Sequence, residues 1–258
     1  MDDGRVHDAA RRYLEERYRE LQRAYAKVPR RTGNDYSAAA KRIFPRYRLV
    51  EAVLVEVERL DLDHLPERAE LLDELRLAAE ATPEPTPPGP EADAVAAERA
   101  LFLDVVERLA VEDGPPSGPR LPYRRVLTEA EQQDWQTWLA RRWGVTDLRW
   151  HPMIDAPPPA DVLVVRETLV RRKEILAFRR AVRDLGVRRV VELREGGPGY
   201  LLDVDLVDPV YTGAEGVWTS AGVDWVGYAS HEDTLAFGGV ITAGLRAWRT
   251  SGLAHPSF

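Results

Sequence analysis

The residue types best suited to chemistry fall in Gly227–Gly239, GYASHEDTLAFGG, where Ser230, His231, Glu232 and Asp233 interrupt two apolar, strand-like runs. An imidazole changes charge between pH 5 and 8, so His231 could serve as a general base, oriented by Glu232 or Asp224. Adjacent Ser, His and Glu do not make a catalytic triad, which converges from separate segments. The simpler expectation is a hairpin turn in which Ser230 and Asp233 satisfy backbone groups.

A second set is acidic. In YLLDVDLVD the alternation predicts a strand with Leu202, Val204 and Leu206 inward and Asp203 and Asp205 on the other face, where they could hold a hard divalent cation. A solvent-facing strand shows the same pattern, and no lysine nearby completes a nuclease-like set. A third is basic: KVPRRTGNDYSAAAKRIFPRYR offers Arg30, Arg31, Arg42 and Arg46 for phosphates and Tyr36, Phe44 and Tyr47 for stacking. The loop REGGPGY lacks the spacing and the following helix of a dinucleotide or phosphate loop, so no cofactor is expected. All seven tryptophans lie at 135 and beyond. Most should be core, but Trp218, Trp225 and Tyr228, next to the SHED turn, are candidates for binding a partner.

The elements that must position these groups divide in two. Leu14, Tyr18, Leu21, Tyr25 and Val28 recur at spacings of four and three, the face of a first helix. Leu49, Val50, Val53, Leu54 and Val57 mark a second, Leu71, Leu72 and Leu75 a third with Pro66 in its first turn, and Phe102, Val105, Val106 and Leu109 a fourth. Residues 1–111 therefore read as a helical bundle with a proline-rich spacer at 82–90. The Pro/Gly stretch 112–122 reads as a linker and 123–258 as a tryptophan-rich α+β domain. In that domain Thr128 and Glu131 form a capping box, with Gly144 as C-cap. A second helix spans RETLVRRKEILAFRRAVRDLG, and the strands suggest a mainly antiparallel sheet with helices on one face.

Composition narrows the function. The 258 residues include no cysteine, which removes disulfides, thiolate metal sites and a cysteine nucleophile, and suits a reducing cytoplasm. The charged start offers no signal-peptide core, and no apolar run is long enough to span a membrane. Net charge of −7 argues against general nucleic-acid affinity. The charge is blocked, however: residues 1–50 carry net +6 and residues 51–100 net −10, which suggests helices that neutralise one another. Arginine supplies 33 of 36 basic residues, the bias of a GC-rich bacterial genome. The leading expectation is a cytoplasmic, non-catalytic protein-interaction, immunity or regulatory component whose partner is another protein. A hydrolase-type enzyme using His231 and Glu232, with a divalent ion at Asp203 and Asp205, is the alternative. Weak nucleic-acid binding through residues 27–48 is the third.

Overall fold

The computed structural model describes residues 3–28, 37–81, 88–111, 118–152 and 161–250. The chain forms two compact units, Met1–Leu121 and Pro122–Phe258. The class is α+β: the first unit is helical, and the second is built on a seven-stranded antiparallel sheet.

In the first unit the described helices are α1 (Asp3–Ala26), α2 (Ala38–Val57), α3 (Arg68–Ala79) and α4 (Pro90–Val111). The spacing rule finds their inner faces: Leu14, Leu21, Leu49, Val53, Leu71, Leu75 and Phe102 are buried in one core. Tyr18 lies at the margin of that core, its hydroxyl 2.5 Å from that of Tyr47. Two boundaries differ from the sequence expectation. Helix α2 starts well before its apolar stripe, with Ser37 accepting from the Ala40 N–H at 3.1 Å as N-cap, and it runs through Pro45. Helix α3 starts after Glu67, so Pro66 lies just outside it.

The second unit runs β1 (Arg124–Val126), α5 (Glu129–Trp143), β2 (Val162–Arg166), α6 (Arg172–Asp184), β3 (Arg189–Arg194), β4 (Tyr200–Asp203), β5 (Gly216–Ser220), β6 (Val223–Ser230), β7 (Thr234–Gly239), and the short α7 (Ile241–Gly244) and α8 (Arg246–Thr250). The sheet order is β1-β4-β3-β5-β6-β7-β2. Helix α5 carries the expected capping box, and its C-cap Gly144 is left-handed at φ 72°. GVWTSAGVDWVGYA folds as two strands, turning at Gly222 with φ 72°. After α5 the chain makes a tight turn, Thr146–Arg149.

Helices cover both faces of the sheet, not one. Phe178, Ala181 and Val182 of α6 pack with Trp218, Trp225 and Phe237 on one side. Leu139 and Trp143 of α5, with Trp150, pack with Val217, Val226 and Tyr228 on the other. The central strands are therefore buried on both sides, and every residue of β5 is inaccessible. Glycine makes room for the second layer: a Cβ on Gly238 would lie 2.8 Å from the Trp150 ring and 3.0 Å from that of Trp143.

Candidate functional site

The SHED segment is a hairpin turn between β6 and β7, closed by Ser230 opposite Thr234. Ser230 Oγ accepts the Glu232 N–H at 3.1 Å. The Asp233 carboxylate accepts from the Thr168 N–H at 2.8 Å and from its hydroxyl at 2.9 Å, and Asp233 adopts φ 59°. Ser230 thus does the backbone work expected of a turn residue, whereas the Asp233 carboxylate ties the turn to Thr168 instead.

His231 has a partner that its neighbours in sequence do not provide. Its Nδ1 lies 2.6 Å from Oε1 of Glu215, the residue preceding β5. The pairing of Gly216 with Ala229 brings Glu215 beside Ser230 and the start of the turn. The Glu215 side chain is 4% exposed, whereas that of His231 is 62% exposed. The Tyr228 hydroxyl donates to Glu215 Oε2 at 2.8 Å, and Arg149 Nε stands 3.7 Å from the same oxygen. His151 meets the Tyr228 ring edge-on, with centroids 6.5 Å apart.

Burial alone would raise the pKa of Glu215, but hydrogen bonds from His231 and Tyr228, with the nearby Arg149 charge, outweigh it and hold the carboxyl below its usual range. An ionised carboxylate only accepts, so Nδ1 of His231 carries a hydrogen and Nε2 is the basic nitrogen of the neutral ring. Burial, and then donation to Glu215, push the Tyr228 phenol upward, so it stays a neutral donor. The arrangement is a histidine held in one tautomer by a buried acid, with its basic nitrogen on an accessible ring.

The other residues singled out from the sequence lie elsewhere. Asp224, at the opposite end of β6, pairs with Arg142 at 3.1 Å and does not orient His231. Glu232 is exposed and contributes its backbone N–H to the turn. Trp218 and Trp225 are fully buried, donating to Glu192 at 2.7 Å and to Ser220 at 2.8 Å, so they are core rather than a binding face. Tyr228 is buried as well, but it joins the site through Glu215.

Asp203 and Asp205 do not share a strand face, because β4 ends at Asp203 and a 3-10 turn spans Val204–Leu206. Asp203 accepts the Tyr123 N–H at 2.7 Å, and Asp205 pairs with Arg183. Among the described residues no group of three or more His, Cys, Asp or Glu side chains is arranged to hold a metal ion.

In the first unit, Arg46 and Arg17 converge on buried Glu98, at 2.6 Å each. Burial opposes ionisation of Glu98, and the two guanidiniums overcome it, so its carboxyl sits below the usual range. Arg42 is exposed; Arg30 and Arg31 lie outside the described residues. The basic and acidic blocks meet again where Arg11 Nε bonds buried Glu58 at 3.0 Å. Beside them His7 is completely buried, with Nε2 donating to the Val57 carbonyl at 3.0 Å. No helix among the described residues is long and apolar enough to cross a membrane.

Glu215 is the functional candidate that the sequence hid. Its only signal was an acid immediately before the strand-like run GVWTS. The chain matches no protein-family model, no curated protein and no solved structure.

Proposed function

We propose that the protein is a hydrolase-type enzyme whose acid–base group is His231. The observation carrying this is the contact of the His231 Nδ1 with buried Glu215. In the mechanism, Nε2 takes a proton from an attacking water or hydroxyl and later returns it to the leaving group. Glu215 keeps the ring in the right tautomer and stabilises the imidazolium that forms. Tyr228 fixes the carboxylate from its other oxygen. No metal or cofactor enters this scheme, and Glu232 has no role in it.

The test is turnover by the full chain of nitrophenyl acetate, butyrate and phosphodiester substrates, beside His231→Ala and Glu215→Gln. General acid–base catalysis predicts a loss of about 100-fold or more in both variants. Equal rates for the parent and His231→Ala on every substrate would refute the proposal.

A second reading keeps the protein non-catalytic, as an interaction, immunity or regulatory component with a protein partner. It is favoured by the openness of the His231 ring and by Trp135 and Trp138, which remain only partly buried on α5 with ring centroids 5.9 Å apart. A cytoplasmic, bacterial setting belongs to both readings and rests on the missing cysteine and the arginine bias. Nucleic-acid binding through residues 27–48 is weakest, since Arg46 is committed to Glu98 and Tyr47 to Tyr18.

A further inference from the structure

The turn that follows α5 bears on what the His231 site would take. Thr146 and Arg149 exchange both backbone hydrogen bonds, Thr146 N–H to Arg149 O at 3.0 Å and Arg149 N–H to Thr146 O at 2.8 Å. The two residues between them, Asp147 and Leu148, have φ of 51° and 60°. A two-residue turn with both central residues left-handed normally selects Asn-Gly or Asp-Gly. A leucine there is strained, and here its side chain is buried in the core on the α5 side of the sheet. Packing thus holds a turn that its second residue resists, and the residue this turn delivers is Arg149.

The Arg149 guanidinium reaches the same carboxylate that orients His231, at 3.7 Å from Nε to Glu215 Oε2. Its Nη2 donates to Glu195 at 3.3 Å, and Nη1 has no hydrogen-bond partner among the described residues. Both Arg149 and Glu195 are half exposed, 57% and 50% by side chain, so this ion pair is readily exchanged for another anion. The buried Glu215 charge is already taken up by Tyr228 and His231. A planar guanidinium with open donors, beside an accessible imidazole, is suited to a phosphate or carboxylate.

We infer that Arg149 is the anion-binding residue of the His231 site, so that the molecule acted on carries a phosphate or carboxylate group. The word substrate rests on the acid–base reading; the binding of an anion does not.

The probe is inorganic phosphate, titrated into the full chain at constant ionic strength while the His231 ring resonance is followed by NMR, with His231→Ala supplying the assignment. The expected result is a saturable shift that chloride does not reproduce. Arg149→Gln should weaken phosphate binding at least tenfold, and Arg149→Lys, which keeps the charge, should restore much of it. A carboxylate series, acetate and succinate, tells which anion is preferred. No saturable shift, or equal affinity in Arg149→Gln, overturns the inference. If phosphate binds through Arg149 while no ester is turned over, the acid–base reading falls and the anion site stands. If turnover needs His231 and phosphate does not bind, this inference alone falls.

Discussion

The most demanding quantitative consequence lies in the helical unit, at His7. Its ring is fully buried, and burial pushes its pKa from 6.5 down to about 4, with the Val57 carbonyl opposing and the charges of Arg11 and Arg120 adding to the fall. Asp8 and Glu58 are the acids buried alongside. The native state therefore keeps the ring neutral, while the unfolded chain binds a proton below pH 6.5. Stability from this group is complete above that pH and drains away as pH falls toward the native value. At about 1.4 kcal/mol for each factor of ten, the difference amounts to about 2 kcal/mol at pH 5 and roughly 3 kcal/mol at pH 4. The perturbation is His7→Gln, whose amide N–H can still donate to the Val57 carbonyl but does not titrate. Asp8, raised by burial, and Glu98, lowered by its arginines, titrate in both proteins, so they cancel in the difference between the two pH profiles. The assay is native-state hydrogen exchange of α1 amides from pH 7.5 to 4. Tryptophan fluorescence serves as the control, since all seven indoles lie beyond residue 122. The parent should lose about 2 kcal/mol more than His7→Gln between pH 7.5 and 5, with unchanged fluorescence. Parallel curves would refute the claim that His7 is buried as a neutral donor.

Three further outcomes follow from single contacts. Gly239→Ala should cost about 3 kcal/mol or more in denaturant unfolding, because a Cβ at φ 80° would lie 2.1 Å from the Asp224 carbonyl oxygen and 2.7 Å from the Trp143 ring. Asp147→Val should cost about 1–2 kcal/mol, because a β-branched residue resists the left-handed φ of 51° that aspartate tolerates in the Thr146–Arg149 turn; an unchanged stability would show that the turn does not hold that conformation. His231→Ala should cost about 0.5–1 kcal/mol, since it takes one hydrogen bond from the buried Glu215 carboxylate, whereas Glu215→Ala should cost about 2–3 kcal/mol by depriving the buried Tyr228 hydroxyl of its acceptor as well. Equal costs for those two variants would contradict the burial contrast between them.

Much of the fold was legible because it follows from local rules. The helical spacing of Leu14 and Leu21, seven apart, or of Leu71 and Leu75, four apart, places those residues inward whatever the partner helix is. The capping box at Thr128 and the glycine at 144 fix both ends of α5 from side-chain chemistry alone. The first half of α2, AAAKRIFPRYR, escaped because it is charged and holds a proline; tertiary pairing of Arg46 with Glu98 and of Tyr47 with Tyr18 compensates. The second helical layer on the sheet escaped because β5, buried throughout, sets the small and polar residues Gly216, Thr219 and Ser220 around Val217 and Trp218, so its sequence lacks the continuous apolar run of a strand covered on both faces.

The site was legible only by halves, and the division has a physical origin. His231 could be found because a titratable residue in a turn is visible in a string of letters. Its orienting acid could not, because Glu215 is 16 residues away and reaches His231 only through the β5–β6 register. A slip of one residue in that register would turn the Glu215 side chain to the other face of the sheet. What fixes the register is packing: Trp218 and Trp225 on one face, Val217, Val226 and Tyr228 on the other. Those buried aromatics were candidates for binding, and instead they act one step earlier. By allowing a single alignment of β5 on β6, they bring a buried carboxylate to an exposed histidine. Enlarging Ala229, fully buried in the Trp218 and Trp225 layer and paired with Gly216, should therefore disturb the His231–Glu215 contact without touching either residue. In Ala229→Val, NMR of the His231 ring nitrogens reports the result directly. A ring that keeps its parent tautomer in a folded protein would show that the register does not depend on this packing.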